Sequence, residues 1–160
     1  MDWKIVPGYG RTEDLRELLT AYTAMLVREE PAMAPYLDQQ GYEAELAHLE
    51  RKYGHPDGRL YVVLVQDKAV GCIALRRLDE RRCEMKRLYV EPAFRGRGIA
   101  RALVRQLIAD ARVIGYERML LDTVPFLREA IALYESEGFR QIERYNDSPL
   151  EQTCFYGLDL

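Results

Sequence analysis

Cysteine is scarce in this chain of 160 residues, and the three present, Cys72, Cys83 and Cys154, are odd in number and widely spaced. They fall in strand-like segments, so they read as buried thiols of a reducing compartment and not as a disulfide framework. Histidine is scarcer still. His48 and His55 stand apart and no C-x-x-C occurs, so a bound metal is not expected. A basic surplus is also missing: the net charge of −3 argues against the broad cationic face that nucleic-acid binding needs. The opening Met1-Asp2-Trp3-Lys4-Ile5 has no apolar signal-peptide core, and no apolar run approaches transmembrane length. The expected setting is therefore cytoplasmic, with neither membrane nor nucleic acid as a partner. No internal repeat, low-complexity tract or linker interrupts the chain, so residues 1–160 are expected to form one domain.

What is present is an ordinary globular composition, 48% hydrophobic and 31% charged, with enough apolar material for a proper core. Residues 3–6 read as a short strand closed by Pro7-Gly8. Leu15, Leu18, Leu19, Tyr22 and Leu26 then recur at helical spacing, up to the stop at Pro31. Two prolines and little periodicity make 31–41 a loop, and a second helix is expected over 42–53. Strands follow at 60–65, 69–75 and 83–90, the first two joined by a tight reversal at Gln66-Asp67-Lys68. Beyond them come a helix from Gly98 to a stop at Gly115, a strand over 118–123 and a helix over 127–137. Strands over 139–143 and 153–158 end the chain. The order β-α-α-β-β-β-α-β-α-β-β is α+β. It implies a mixed sheet of about seven strands and about four helices, with an antiparallel N-terminal half and a central parallel βαβ crossover.

The segment from Leu88 to Leu103 is where chemistry concentrates. Leu88, Tyr89 and Val90 close a strand, Pro92 stops it, and Arg95-Gly96-Arg97-Gly98 leads straight into the helix Ile99-Ala100-Arg101. A helix N-terminus with unpaired amides and the positive end of the dipole attracts anions, and small residues let a phosphate approach the backbone. The loop is not a nucleotide-triphosphatase P-loop, because Gly98 is followed by Ile99 and Ala100 and not by Lys-Ser/Thr. A dinucleotide fingerprint would want glycine at Arg101 and a run of parallel βαβ units before it, although Asp122 lies at a suitable distance. The remaining pattern is R-x-x-G-x-A, met by Arg95, Gly98 and Ala100.

With that pattern, and with the preceding strand and proline, the sequence resembles the GNAT superfamily of acetyl-CoA-dependent N-acetyltransferases. A second segment, Ala130-Ile131-Ala132-Leu133-Tyr134-Glu135-Ser136-Glu137-Gly138-Phe139, is similar to the A-x-x-L-Y-x-x-x-G-F stretch of the same family. The resemblance implies acetyl-CoA as co-substrate, with its pyrophosphate on residues 95–101 and its pantetheine along Leu88, Tyr89 and Val90. It implies that Tyr134 protonates the departing thiolate. Leu127 stands where the family often has asparagine, so a contact made there by an amide must be lost or supplied otherwise. Glu84 and Asp122 are the carboxylates in family positions for a base that deprotonates the amine. Strand alternation places Glu84 on one face with Lys86, Leu88 and Val90, unless a bulge intervenes. Ion pairing with Lys86 or Arg87 is the competing role for Glu84, and pairing or capping that for Asp122.

The implied activity is transfer of an acetyl group to a primary amine by direct attack in a ternary complex. An acyl-CoA-binding sensor without turnover is the alternative. The acceptor is expected to be a small-molecule amine, amino-acid-like or cationic. It would meet residues 29–41 and 144–152, where Glu29, Glu30, Asp38 and Asp147 would attract positive charge. A homodimer is compatible with this reading.

Overall fold

In this computed structural model the described residues are 2–39 and 42–160, apart from the side chains of Tyr36, Asp38, Gln39 and Tyr42. The chain forms β1 (Lys4–Pro7), α1 (Thr12–Glu29), a 3-10 turn (Pro31–Met33), α2 (Ala34–Gln39), α3 (Tyr42–Ala47) and α4 (Leu49–Tyr53). It continues through β2 (Arg59–Val65), β3 (Lys68–Arg77), β4 (Arg82–Val90), a second 3-10 turn (Pro92–Phe94) and α5 (Ile99–Ile114). The last elements are β5 (Arg118–Thr123), α6 (Arg128–Ser136), β6 (Arg140–Gln141) and β7 (Cys154–Asp159). All seven strands join one sheet in the order β1-β2-β3-β4-β5-β7-β6. Strands β1 to β4 are antiparallel neighbours, and α5 carries the chain across to β5, which lies parallel to β4. The α+β class, the antiparallel first half and the single parallel crossover are as the sequence implies.

Two apolar layers hold the sheet. On one face Val63, Ile73, Met85 and Val90 pack with Leu103, Val104 and Leu107 of α5. On the other, Leu60, Val62, Ala74 and Tyr89 pack with Leu15, Leu18, Leu49 and Tyr53 of α1 and α4. Burying a leucine contributes about 1.5–3 kcal/mol, so α5 is held mainly by this face. Gly115, at φ 109°, ends it in a left-handed conformation that glycine adopts without a Cβ penalty.

Three local expectations need correction. The expected loop over 31–41 contains a 3-10 turn and α2, because Pro31 and Pro35 sit in first turns, where a missing N–H costs nothing. Gly41, at the end of that expected loop, lies outside the described residues. The helix expected over 42–53 is broken at His48, whose φ and ψ of −138° and 45° are not helical. The penultimate strand is only Arg140–Gln141.

Candidate active site

Strand β4 is irregular where it matters. Opposite it in β3, Cys72 pairs with Tyr89 and Ala74 with Lys86, so Arg87 and Leu88 together oppose Ile73. This is a β-bulge, with Arg87 at φ 63°. The Arg87 carbonyl accepts from Cys72 Sγ at 3.2 Å, and its guanidinium clasps the Glu45 carboxylate of α3 at 2.8 and 2.9 Å. Lys52 Nζ reaches the same carboxylate at 2.7 Å. Burial pushes the Glu45 carboxyl up, but Arg87 and Lys52 prevail and hold it at about 2. The extra residue also reverses the alternation. Leu88 and Val90 turn toward α5, while Tyr89 turns toward α1. Glu84 and Lys86 therefore share their face with Tyr89 and not, as simple alternation implied, with Leu88 and Val90.

Ahead of the bulge, past Glu84, the sheet opens. The parallel register of β4 and β5 comprises only Arg82 with Arg118, Cys83 with Met119 and Glu84 with Leu120. A cleft of about 940 Å³ fills the space between the diverging strands, bounded by Met85 to Val90 on one side and Leu121 to Thr123 on the other. At its mouth lies the glycine loop. Gly96 and Gly98 have φ of 77° and 79°, and a Cβ at either would meet no protein atom within 4 Å. The N–H groups of Gly96, Gly98, Ile99, Ala100 and Arg101 find no backbone acceptor among the described residues; the first to do so is Ala102, on the Gly98 carbonyl at 3.0 Å. A cradle of unpaired donors with clear space before it fits a pyrophosphate.

The loop arginines have separate tasks. Arg95 turns back to the Val90 carbonyl at 2.9 Å and lies over the Tyr89 ring at 5.8 Å. The Arg97 guanidinium lies 5.5 Å from the Phe94 ring centre. Arg101 lines the cleft but binds Ser136 at 3.0 Å and pairs with Glu137, which locks the start of α5 to the end of α6. Leu127, the last residue before α6, lines the cleft as an apolar wall with Leu26, Met33 and Val124.

Among the expected chemical residues, Tyr134 and Asp122 line the cleft. Tyr134 is 7% exposed, stacks obliquely on Phe139 and has no hydrogen-bond partner for its hydroxyl among the described residues. Burial, and then the Asp122 charge, push its phenol up, so it stays protonated. Asp122 Oδ2 accepts from Asn146 Nδ2 at 2.6 Å. Glu84 is elsewhere in character. It is 0% exposed and accepts from Arg76 Nε at 2.7 Å and from the Tyr145 hydroxyl, with Lys86 Nζ at 3.8 Å. Burial raises its carboxyl, yet Lys86, Tyr145 and Arg76 together lower it below the ordinary carboxylate range.

Of the acids expected to meet an acceptor, Glu29 lines the cleft. Glu30 caps the turn at Ala32, Asp147 is exposed away from the cleft lining, and the Asp38 side chain lies outside the described residues. Sequence reasoning placed 144–152 at the site without singling out Tyr145 and Asn146, and it missed Glu45 and Arg28. Only the fold brings these to the site, from segments without a recognisable motif. Among the described residues no helix is long and apolar enough to cross a membrane, and no group of histidines, cysteines and acids could hold a metal.

Comparison with known proteins gives consistent results. The model of the acetyltransferase (GNAT) family matches residues 14–139. An uncharacterised N-acetyltransferase of Schizosaccharomyces pombe is 37% identical over 123 residues, 76% of either chain. The N-acetylaspartate synthetase of Danio rerio is 35% identical over 130 residues, 75% of this chain but 46% of that longer protein. Among solved structures, an acetyltransferase from Streptococcus agalactiae superposes with a TM-score of 0.80 over 99% of this chain and 98% of its own, at 23% identity. The PaiA N-acetyltransferase of Thermoplasma acidophilum, solved in complex with coenzyme A, gives 0.75 over 100% of both chains at 15% identity. At these identities the two structures speak for the fold.

Proposed function

Because the chain belongs to the GNAT family of acetyltransferases, we propose that it transfers the acetyl group of acetyl-CoA to a primary amine by direct attack in a ternary complex. The observation that carries this reading is the cleft between the parted strands. A cradle of unpaired N–H groups lies at its mouth and an unpartnered tyrosine hydroxyl lies along its wall.

Acetyl-CoA, when bound, supplies an acetyl group activated as a thioester. The loop N–H groups from Gly96 to Arg101 hold the pyrophosphate, aided by the dipole of α5. The inner edge of β4 at Leu88, Tyr89 and Val90 offers backbone groups that an extended pantetheine pairs with as an added strand. Leu127 contributes an apolar contact in place of an amide. Asp122, oriented by Asn146, accepts the proton that the amine must lose before attack. The buried Tyr134 hydroxyl donates to the sulfur as its negative charge develops. Glu84 is already saturated with donors and anchors the loop through Tyr145. Residues 1–160 act as one N-acetyltransferase domain, in a cytoplasmic setting that suits its three unbridged cysteines.

The test is release of free thiol from acetyl-CoA in the presence of a panel of primary amines, with the product identified by mass. Amine-dependent thiol release supports the reading. Tight CoA binding without turnover on any amine returns the acyl-CoA sensor.

A further inference from the structure

The charges around the acceptor end of the cleft point to a feature of its substrate. This step rests on the acetyltransferase reading and concerns the α1 face of the parted strands. Two buried carboxylates underlie that face, and each carries two cations. Glu45 is met by Arg87 and Lys52, and Glu84 by Arg76 and Lys86. At Glu84 the two cations outnumber the one carboxylate. Within the Glu84 cluster the looser partner is Lys86, at 3.8 Å against 2.7 Å for Arg76, and Lys86 lines the cleft. Arg28, in the last turn of α1, lines the same space and has no ion-pair partner among the described residues. Opposite them across the seam stands the Asp122 carboxylate, beside Tyr134.

A positive charge in a half-buried cleft is stabilised by an anion brought in with the substrate. We propose that the acceptor is an amine that also bears a carboxylate. Its ammonium is directed to Asp122 and its carboxylate to Lys86, with Arg28 closing over it. This keeps the amino-acid-like acceptor that the sequence implies and drops the cationic one drawn from Glu29, Glu30, Asp38 and Asp147; among the described side chains of these four, Glu29 is found in the cleft lining. The arrangement selects amino acids over the amines formed by their decarboxylation.

The experiment compares each of several amino acids with its decarboxylated amine, by thiol release from acetyl-CoA. The expected result is a specificity for the carboxylate-bearing member at least about tenfold higher, the effect of one charge-assisted contact. Lys86→Met should raise the Michaelis constant for the amino acid about tenfold more than that for its decarboxylated partner. Arg28→Gln, at an exposed helix end where folding is not at risk, should do the same more weakly. Equal or better turnover of the decarboxylated amines by the unaltered protein overturns the inference and leaves the acetyltransferase reading intact. Loss that is equal for both members in both variants also overturns it. No thiol release with any amine defeats the acetyltransferase reading itself.

Discussion

The Tyr145 hydroxyl donates a hydrogen bond to Glu84 Oε2, tying the connection between β6 and β7 to a strand 61 residues earlier in the chain. The next residue, Asn146, holds Asp122, so one short segment grips both strands at the point where they part.

Tyr145→Phe leaves a fully buried carboxylate short of one donor. The expected loss is about 1–3 kcal/mol of stability, read as a lower urea midpoint. The acceptor's Michaelis constant should rise with it, because residues 144–152 lose their anchor. A variant as stable as the parent would show that this hydrogen bond is idle.

Gly98 is left-handed at φ 79°, a conformation costing other residues about 1–2 kcal/mol, and any Cβ there projects into the space assigned to a phosphate. Gly98→Val should fold with reduced stability and lose measurable CoA affinity in calorimetry. Unchanged affinity in the folded variant would remove the loop from the binding site.

Tyr134→Phe should lower kcat by about 100-fold, the scale of a lost general acid, with little effect on CoA affinity. Because burial raises the phenol's pKa, no alkaline loss of activity from Tyr134 is expected across the ordinary assay range. Undiminished turnover at every pH would make it a packing residue.

Asp122→Asn should depress kcat most near neutral pH. Raising the pH should restore part of it, since a free amine no longer needs a proton acceptor. Asn146→Ala should reproduce a weaker form of the same profile. A uniform loss at all pH values would mean that Asp122 does not take the proton.

Glu45 contributes to the acid limb of stability. Its folded value of about 2 lies below the ordinary 4.5, so its contribution is full above pH 4.5 and fades as pH falls toward 2. The shift corresponds to about 3 kcal/mol. Glu45→Gln should lower stability at pH 6 and flatten the fall between pH 4.5 and 2 in urea titrations. An unaltered acid limb would place the titration on another carboxylate.

Legibility in the sequence followed the range of the interaction. The loop from Arg95 to Ala100 was readable because proline, glycine spacing and helical periodicity are local signals, and the structure forms a turn and a helix from them. The bulge was not, since Arg87 carries none of the glycine or asparagine that usually marks positive φ. It is held from outside by Glu45, 42 residues away, and by Cys72. Glu84 was recognisable as a carboxylate near the site, but its saturation by Arg76 and Tyr145 depends on contacts across the fold. Residues 31–41 misled because prolines end helices and also begin them.

The opening between β4 and β5 also puts an edge in the middle of a sheet. Past Glu84 and Leu120 each strand is paired only on its outer side, β4 to β3 and β5 to β7. Strand edges elsewhere invite the wrong neighbour, another chain adding itself in register, and proteins guard them with charge, bulges or cover. This inner edge has all three: Lys86 and Asp122 beside it, the bulge at Arg87 that bends it, and residues 144–152 fastened across its base. A ligand that pairs with such an edge has to be extended, with backbone-like donors and acceptors. An opening wide enough for a ligand is thus also an edge that a second chain could pair with, and the grip of Tyr145 on Glu84 limits how far it opens.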